Sequence, residues 1–454
     1  MIKYLIIGIL IFTSFIKSNQ FIKGVDISML KQVEENGGLF YENGNHIDPI
    51  QLFKDKGLNT ARIKIWHTPS LNYNNLESVL EIADRANSVG LDLLLDFHYS
   101  DTWADPSSQT KPSSWVDLTF EILCDSIEQY SRHVITKLKN QNTLPKYVQI
   151  GNETDCGLLW PDGYVCDESN NDSQWYKLGT LFMHAINGVK SAIETQDTLE
   201  IISHVSSGGN WFFNNLIEQG VDIDILSISY YPMWHGTLAD LVQNMDELGN
   251  EFQKPVLIVE TAYPFTLQWN DSTNNILGLD TQLLNGYEAS EEGQLSFLHD
   301  LMSLVDENNH GMGICYWAPD WISTNQFGSP WENQALFDFD GELLYAISVF
   351  DNSSVAITRT ENFSSDNIYN YPNPFNPFTT LRYDLPKDGL VNITVYDMLG
   401  NVVNNLINAN QSSGYKSVQW DATNNQGEPV SAGVYLYKIQ AGDFVDTKKM
   451  ILLK

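Results

Sequence analysis

Two glutamates stand where short apolar runs of the sequence stop. The run 146–153 reads KYVQIGNE and ends on Glu153, and the run 255–260 reads PVLIVE and ends on Glu260. Such runs are typical of buried parallel strands, whose carboxyl ends meet at one rim of a sheet. Two carboxyl groups at one rim are the minimum that hydrolysis of a glycosidic bond by an acid and a nucleophile requires.

We predict different roles for the two carboxyl groups. Glu260 is expected to attack the anomeric carbon, and Glu153 to protonate the leaving oxygen and then activate water, with retention of configuration. Retention requires carboxyl groups about 5–5.5 Å apart, whereas a wider gap indicates inversion. Because two roles require two environments, Glu153 should have fewer charged partners than Glu260.

The elements that would position these glutamates alternate between strand and helix. Amphipathic helical patterns, such as Leu76, Val79, Leu80 and Ala83, separate successive apolar runs. Eight such units in a chain of this length predict a (β/α)₈ barrel, which we assign to residues 19–350. The predicted strands are 24–28, 60–66, 91–97, 146–151, 199–204, 224–230, 255–260 and 311–317.

Polar and aromatic residues follow nearly every predicted strand. In a (β/α)₈ barrel the active site lies at the carboxyl ends of the strands. Each such residue alone has an ordinary structural explanation, but together at one rim they indicate a site. These residues are Arg62, His98, Asn152, Glu153, His204, Tyr230, Glu260 and Trp317.

Four of these residues have expected tasks in glycoside hydrolysis. Arg62 beneath Glu260 would keep that carboxyl group ionised. Asn152 would hydrogen-bond the 2-hydroxyl of the sugar, a contact that strengthens in the transition state. Tyr230 would orient the nucleophile, and Trp317 would form the floor under the sugar ring.

The composition narrows the class of partner. The chain has 25 Lys and Arg against 57 Asp and Glu, a net charge of −32, which disfavours nucleic acid and polyanionic substrates. We therefore expect a neutral substrate, although the need of a secreted protein for solubility explains the negative charge equally well. The chain also has 12 Trp and 21 Tyr, and those that fall at strand ends offer rings on which sugars can stack.

The four cysteines do not form a disulfide scaffold. Cys156 and Cys166 bracket a loop just beyond Glu153, and a bridge between them is expected if the chain is exported. Cys124 and Cys315 lie in apolar runs and are expected to be buried thiols.

The N-terminus has the pattern of a secretory signal peptide. A short basic lead precedes the apolar run 5–16, which is too short to span a bilayer. We expect cleavage near Ser18, so that residues 1–18 are removed and the protein is secreted. An uncleaved membrane anchor is the less favoured alternative.

At these residues the chain resembles family 53 of the glycoside hydrolases, the endo-β-1,4-galactanases of the clan A barrels. The resemblance covers the predicted barrel from end to end. The matching stretches are GVDISM at 24–29, ARIKIW at 61–66, DFHYSDTWADP at 96–106, GNET at 151–154, VETAYP at 259–264, YW at 316–317 and NQALFDF at 333–339.

The resemblance implies an arabinogalactan endo-β-1,4-galactanase that needs no cofactor for catalysis. It implies Glu153 as the acid/base, Glu260 as the nucleophile, and Trp103 and Asp105 as cleft residues for galactose. Rim residues alone leave open another clan A retaining glycosidase, such as a mannanase or glucanase. A non-catalytic galactan-binding surface protein is disfavoured because both glutamates are present.

Some bacterial members of this family hold a structural calcium ion between the loops after strands seven and eight. Here the first of these loops keeps Asp271 and Asn275 but lacks the full acidic, His-containing pattern. Because hard oxygen ligands are few, we do not predict a metal site, although calcium remains an open alternative.

The C-terminal segment has a different pattern. Residues 351–368 are polar and aperiodic, as in a linker, and residues 369–454 contain short alternating strands that predict a β-sandwich. Through PNPFNP at 372–377, VYDMLG at 395–400, SAGVY at 431–435 and the Lys-rich end, it resembles the type A sorting domain of the type IX secretion system. That resemblance implies outer-membrane secretion machinery as a partner and a secreted or cell-surface protein, which we expect to be a monomer. A carbohydrate-binding module is less favoured, because Trp420 and the tyrosines alternate as core positions do.

Overall fold

The computed structural model describes residues 20–166, 172–351, 368–371, 373–385, 389–411, 414–442 and 444–453. The chain divides into two compact units, Met1–Asn352 and Ser353–Lys454. The predicted signal peptide and all but the ends of the predicted linker lie outside the described residues, so both remain predictions.

A closed barrel of parallel strands forms the first unit. Within its described residues, eight strands pair in sequential order, and the last closes onto the first through Ile22–Gly313 and neighbouring pairs. The predicted (β/α)₈ barrel is therefore confirmed. The strands are β1 (Ile22–Asp26), β2 (Thr60–Ile65), β3 (Asp92–Phe97), β4 (Tyr147–Ile150), β5 (Glu200–Val205), β6 (Ile225–Tyr230), β7 (Val256–Thr261) and β8 (Gly311–Trp317).

Helices connect the strands, and several of them begin at polar capping residues. Asp48 accepts a hydrogen bond from the backbone N–H of Ile50, and Thr237 and Asp240 form a reciprocal capping box. The helices are α1 (Leu30–Glu35), α2 (Pro49–Asp55), α3 (Leu76–Ser88), α4 (Phe120–Asn140), α5 (Asp172–Ser191), α6 (Asn210–Glu218), α7 (Pro232–His235), α8 (Leu238–Phe252) and α9 (Glu291–Glu307).

Two apolar clusters stabilise the barrel. The larger lies between the strands and the surrounding helices, and a smaller one takes alternate strand residues, such as Leu94 and Ile202, that fill the interior. Cys124 and Cys315 are buried free thiols, as predicted. Arg62 is opposite Leu94 in the register of β2 and β3, so its side chain enters the same barrel interior as Leu94.

The second unit is a β-sandwich, as predicted. Its described residues form a three-stranded sheet, β9-β10-β13, and a four-stranded sheet, β12-β11-β14-β15. Trp420 and Tyr437 are in its core, which agrees with the alternation seen in the sequence. The strands are β9 (Ile368–Tyr371), β10 (Thr379–Leu385), β11 (Gly389–Tyr396), β12 (Val402–Gln411), β13 (Gly414–Trp420), β14 (Gly433–Ala441) and β15 (Phe444–Leu452).

Among the described residues, no helix combines the length and apolarity that crossing a membrane requires.

Candidate active site

The site is built above a buried arginine. The Arg62 guanidinium lies 2.8 Å from Asp26 Oδ2, 2.9 Å from Asp96 Oδ2 and 2.9 Å from Glu260 Oε1. It also donates to Asn152 Oδ1 at 2.8 Å. One planar cation thus holds the ends of β1, β3, β4 and β7 in a fixed relative position.

Glu260 occupies the best-supported position in this network. In addition to the ion pair with Arg62, its Oε2 accepts a hydrogen bond from the Tyr231 hydroxyl at 3.1 Å. Burial raises the pKa of Glu260 to about 7, opposed mainly by the charge of Arg62 and reinforced by Asp26 and Asp96. Three carboxylates therefore share one guanidinium, and only the residue at the cleft, Glu260, is placed to react.

The backbone after β4 aims Glu153 into the cleft. Gly151 has φ +81°, and a Cβ there would lie 2.4 Å from Thr154 Cγ2, so glycine is required for this turn. Glu153 itself has φ 45°, which is uncommon for a residue with a side chain. The turn is held because Gln109 Nε2 donates to the carbonyl groups of Asn152 and Glu153.

Glu153 has neutral partners. Its backbone N–H donates to His204 Nδ1 at 3.2 Å, which assigns the imidazole N–H to Nε2, where it donates to Ser229 Oγ at 3.0 Å. Ser229 in turn donates to Glu153 Oε1 at 2.7 Å. Burial, followed by the charge of Glu260, raises the pKa of Glu153 well above its ordinary value. Burial also holds the pKa of His204 well below its ordinary value, so His204 stays neutral.

The loop after β3 covers one side of the cleft. His98 Nδ1 accepts from the Ala104 backbone N–H and from Trp66 Nε1, so its Nε2–H donates to Asp96 Oδ2 at 3.1 Å. The Ala104 carbonyl accepts from Asn152 Nδ2 at 2.9 Å. The loop is therefore tied to two site residues, and this places Trp103 and Asp105 at the cleft.

A cavity of about 310 Å³ lies over the two glutamates. Its aromatic wall includes Trp103 stacked on Trp321 at 6.2 Å and Trp317 packed edge-on against Trp331 at 4.6 Å. The Lys64 ammonium lies 4.2 Å from the Trp103 ring centre, and burial lowers its pKa to about 8. The cavity is lined by Arg62, Lys64, His98, Trp103, Ala104, Asp105, Asn152, Glu153, Tyr231, Trp234, Glu260, Ile276, Trp317, Trp321, Pro330 and Trp331.

The prediction that Tyr230 orients the nucleophile is wrong. Its ring stacks on Phe297 of α9, and its hydroxyl donates to the Gly236 carbonyl at 3.1 Å. Residues two apart in a strand share a face, so Ser229 and Tyr231 point to the site while Tyr230 points to the helices. The register of β6 against β7 also shifts between Ile228 and Ser229.

Eight of the ten predicted site residues line the cavity. They are Arg62, His98, Trp103, Asp105, Asn152, Glu153, Glu260 and Trp317. His204 instead lies fully buried behind Glu153, so it does not face the cavity. The amide oxygen of Asn152 is turned toward Arg62, and its contact with a sugar hydroxyl stays a prediction.

Sequence reasoning missed Ser229, Tyr231, Lys64 and Trp234. The alternation of Ser227, Ser229 and Tyr231 was a usable signal, because small polar residues recur every second position in an otherwise apolar strand. The position of Trp234 depends on the short helix α7 that follows β6, and no local pattern of the sequence indicates it.

Residues 22–350 match the family model described as glycosyl hydrolase family 53. The chain belongs to glycosyl hydrolase family 53. The family match extends over every strand of the barrel and includes both glutamates, so the site described above lies wholly within the family domain.

Relatives in family 53 cover the same part of the chain. A Cellvibrio japonicus protein named arabinogalactan endo-β-1,4-galactanase is 36% identical over 338 residues, covering 72% of this chain and 89% of its own length. A Bacillus subtilis protein named endo-β-1,4-galactanase is 30% identical over 383 residues, covering 73% and 86%. The solved catalytic domain of the Ignisphaera aggregans family 53 protein is 36% identical, with a TM-score of 0.68, covering 73% of this chain and 95% of that domain.

The second unit of this family 53 protein has a match of its own. Residues 379–443 match the family model of the FlgD Ig-like domain. This supports an Ig-like sandwich, while the sorting role inferred from sequence stays a prediction.

The loop after β7 contains Asp271 and Asn275, the two residues considered above as possible calcium ligands. Asp271 Oδ2 accepts a hydrogen bond from the Ser329 backbone N–H at 2.8 Å, and Asn275 Nδ2 donates to the Gln268 carbonyl at 3.2 Å. Across the described ranges, no group of three or more His, Cys, Asp or Glu residues is arranged to hold a metal ion.

A disulfide joins Cys156 and Cys166, as expected for an exported chain. The disulfide closes the loop that follows Glu153. In this loop the backbone N–H of Trp160 donates to the backbone carbonyl of Gln109 at 2.8 Å. Because Gln109 also holds the backbone of Asn152 and Glu153, the bridged loop supports the turn that carries the acid/base candidate.

Proposed function

We propose that this protein is an endo-acting, retaining β-1,4-galactanase that cleaves pectic galactan and type I arabinogalactan as a monomer without a cofactor. The observation that carries the proposal is the pair of strand-end glutamates in one cleft, one paired with a cation and one with neutral groups. Relatives at 30% identity or above that are named galactanases support the substrate.

In the first step, a Glu260 oxygen forms a bond to the anomeric carbon as the glycosidic C–O bond breaks. Glu153 gives its proton to the departing sugar oxygen. Arg62 and Tyr231 favour the ionised form of Glu260 and orient it, and the raised pKa of Glu153 favours the protonated form that the first step needs.

In the second step, a water oxygen bonds to the anomeric carbon and the bond to Glu260 breaks. Glu153, now ionised, takes the proton of the water. The hydrogen bond from Ser229 holds the Glu153 carboxylate in place through both steps, and His204 fixes Ser229.

Recognition of galactose is assigned to the aromatic wall and the loop after β3. Trp317 offers a ring for the sugar, and Trp103 and Asp105 line the same cavity. We assign to them the recognition of galactose, whose axial 4-hydroxyl needs a polar partner. Asp105 Oδ1 already accepts from the Ser107 N–H at 2.7 Å, and this contact orients its carboxylate.

The test is the release of reducing ends from linear β-1,4-galactan, with mannan, xylan and cellulose in parallel. We expect release from galactan alone, abolished in Glu260→Ala and Glu153→Ala. Cleavage of mannan or a glucan instead would keep the two glutamates but reject the galactan specificity. Galactan binding without cleavage of any polymer would reject the enzyme in favour of a binding protein.

We also propose that the protein is exported to the cell surface or medium by a signal peptide and by the second unit acting as a type IX sorting domain. The disulfide is in keeping with an oxidising compartment. The C-terminal motifs resemble those of type IX sorting domains, which supports the sorting role. The test is to express the chain with and without residues 353–454 in a bacterium that has this system. Equal secretion of both forms would reject the sorting role.

A further inference from the structure

Two residues hold the peptide groups on either side of Glu153. Gln109 Nε2 donates to both carbonyl oxygens, to that of Asn152 at 2.8 Å and to that of Glu153 at 3.1 Å. His204 accepts from both N–H groups, from that of Glu153 through Nδ1 at 3.2 Å and from that of Thr154 through its backbone carbonyl at 2.9 Å. Each of the two peptide planes that meet at the Cα atom of Glu153 is therefore fixed at its oxygen and at its nitrogen.

These hydrogen bonds act on a backbone conformation that glutamate does not prefer. Glu153 has φ 45°, in the left-handed region that residues with a Cβ atom rarely adopt. Such a conformation persists only where the surroundings hold it. A relaxation of φ would swing the Cα–Cβ bond and move the carboxyl group, although Ser229 donates to its Oε1. The direction of the Glu153 side chain therefore depends on what holds its backbone.

Gln109 is buried and its amide has a single possible orientation. The third acceptor of Nε2 is the Asp105 carbonyl at 3.2 Å, so all three are backbone carbonyl oxygens. Because carbonyl oxygens only accept, the amide must present its NH₂ group to them and not its oxygen. The backbone of Gln109 is anchored in turn, since its carbonyl accepts from the Trp160 N–H in the loop closed by the disulfide.

The position of Gln109 in the chain connects the acid/base candidate with the cleft. Gln109 belongs to the loop after β3, which also carries Trp103 and Asp105. One amide group thus joins the backbone of Asp105, which lines the cavity, to the backbone of Glu153. Gln109 itself is not one of the residues that line the cavity, so any effect on the reaction must pass through Glu153 and its neighbours.

We propose that Gln109 is a positioning residue for acid catalysis, which directs the Glu153 carboxyl group toward the departing sugar oxygen by holding the two carbonyl groups of its turn. The inference rests on the proposed function, since it takes Glu153 as the acid/base. Loss of these hydrogen bonds should slow the transfer of the proton to the leaving oxygen more than the attack of Glu260. A displacement of about 1 Å is enough to lower such a rate by about 10²-fold.

The experiment compares galactan, whose leaving sugar needs a proton, with β-galactobiosyl fluoride, whose leaving group is one atom and departs without a proton. The measure is the ratio of kcat/KM on galactan to kcat/KM on the fluoride, so that a loss common to both substrates cancels. Gln109→Met keeps the bulk of the side chain but donates no hydrogen bond, and it should lower the ratio roughly tenfold or more. Gln109→Ala makes room for a water molecule to bind the two carbonyl groups, which spares the fold, and should lower the ratio roughly threefold or more.

Gln294 supplies the matched control. It is fully buried, and its Nε2 donates to the carbonyl groups of Tyr263 and Ala335 at 2.9 Å each. Gln294→Met likewise removes a buried amide that donates to backbone carbonyl groups, but these groups lie outside the turn of Glu153. The variant should therefore leave the ratio within about twofold of the wild type, whatever it does to the two rates together.

The outcomes separate this inference from the proposed function. An unchanged ratio in both Gln109 variants overturns the inference, because Gln109 would then only support the fold. A ratio that falls as far in Gln294→Met overturns it as well, because any loosening of the barrel would then have the same effect. Glu153→Gln tests the proposed function by itself. If this variant leaves the ratio unchanged, or if the wild type cleaves neither substrate, the proposed function is wrong.

Discussion

The surroundings of Glu260 and Glu153 differ in charge although both residues face one cleft. Glu260 is paired with the Arg62 guanidinium at 2.9 Å and accepts from the Tyr231 hydroxyl at 3.1 Å. Glu153 accepts from the neutral Ser229 hydroxyl at 2.7 Å. Burial raises the pKa of both, but the arginine stabilises the charge of Glu260 more strongly.

The difference shows how one residue type serves two purposes. When the pair holds a single proton, that proton belongs on Glu153, because the nearby cation favours the ionised form of Glu260. Asp26 and Asp96 share the same cation, and their negative charges add to the rise in the pKa of Glu260. A division of labour between acid and nucleophile is therefore fixed by partners, not by the glutamates themselves.

The largest effect is expected from exchanging each glutamate for its amide. Glu260→Gln should lower kcat/KM on both galactan and β-galactobiosyl fluoride by roughly 10⁴-fold or more, since no bond to the anomeric carbon can form. Glu153→Gln should lower the rate on galactan by about 10²–10⁴-fold. With the fluoride it should still form the glycosyl-enzyme, because fluoride leaves without a proton.

Intact mass spectrometry checks this assignment through a mass increase of one galactobiosyl group in Glu153→Gln. Added azide should restore its turnover, because this small anion attacks without needing a general base. A glycosyl-enzyme trapped in Glu260→Gln but not in Glu153→Gln would reverse the two roles and contradict the comparison.

Removing the shared cation should produce the next largest effect. Arg62→Met leaves three buried carboxylates uncompensated, and we expect a loss of about 3–5 kcal/mol in the free energy of unfolding at pH 8. The loss should shrink at pH 4.5, because carboxyl groups with raised pKa values in the folded state bind protons there and become neutral. Urea unfolding measures both values.

An exposed ion pair supplies the control for Arg62. Lys190 and Asp222 lie 3.5 Å apart, and Lys190→Met should cost no more than about 0.5 kcal/mol. Equal losses in the two variants would mean that the buried network contributes no more than a surface pair.

The raised pKa of Glu153 also has a cost for the fold, which Glu153→Gln should remove. Because its pKa is higher in the folded than in the unfolded protein, the folded state binds more protons and stability falls as pH rises above the ordinary glutamate value. The variant should be about 1–3 kcal/mol more stable than the wild type at pH 8 and equal to it at pH 4.5. Thermal unfolding at the two pH values measures this.

Glu218, which is exposed on α6, gives the matched substitution. Glu218→Gln should change stability by no more than about 0.5 kcal/mol at either pH. A Glu153→Gln variant that is less stable than the wild type at pH 8 would show that the hydrogen bond from Ser229 outweighs burial.

Much of this site could be predicted because the barrel imposes its own geometry. Apolar runs that end on Glu153 and Glu260 must reach one rim once the strands are parallel. Trp103 and Asp105 were predicted as cleft residues only from the resemblance to family 53, because they lie in a loop where no strand or helix period applies.

Other parts depend on contacts that sequence patterns do not encode. The choice between Tyr230 and Tyr231 depends on strand parity and on the register shift after Ile228. His204 was expected at the cleft but lies behind it, since the turn through Gly151 brings the backbone of Glu153 over its ring.

The smallest effect, and the sharpest test of that parity, is expected from the two neighbouring tyrosines. The Tyr231 hydroxyl stabilises the ionised form of Glu260 and so lowers its pKa, which burial has raised to about 7. Tyr231→Phe should therefore move the acid limb of the pH profile of kcat/KM upward from near pH 7 by about half to one unit, equivalent to roughly 1 kcal/mol. Tyr230→Phe removes a hydroxyl that donates to Gly236 and should leave the acid limb where it is. If Tyr230→Phe moved the limb as far as Tyr231→Phe, the shift would reflect a looser helix α7, and the environment of Glu260 would not depend on the Tyr231 hydrogen bond.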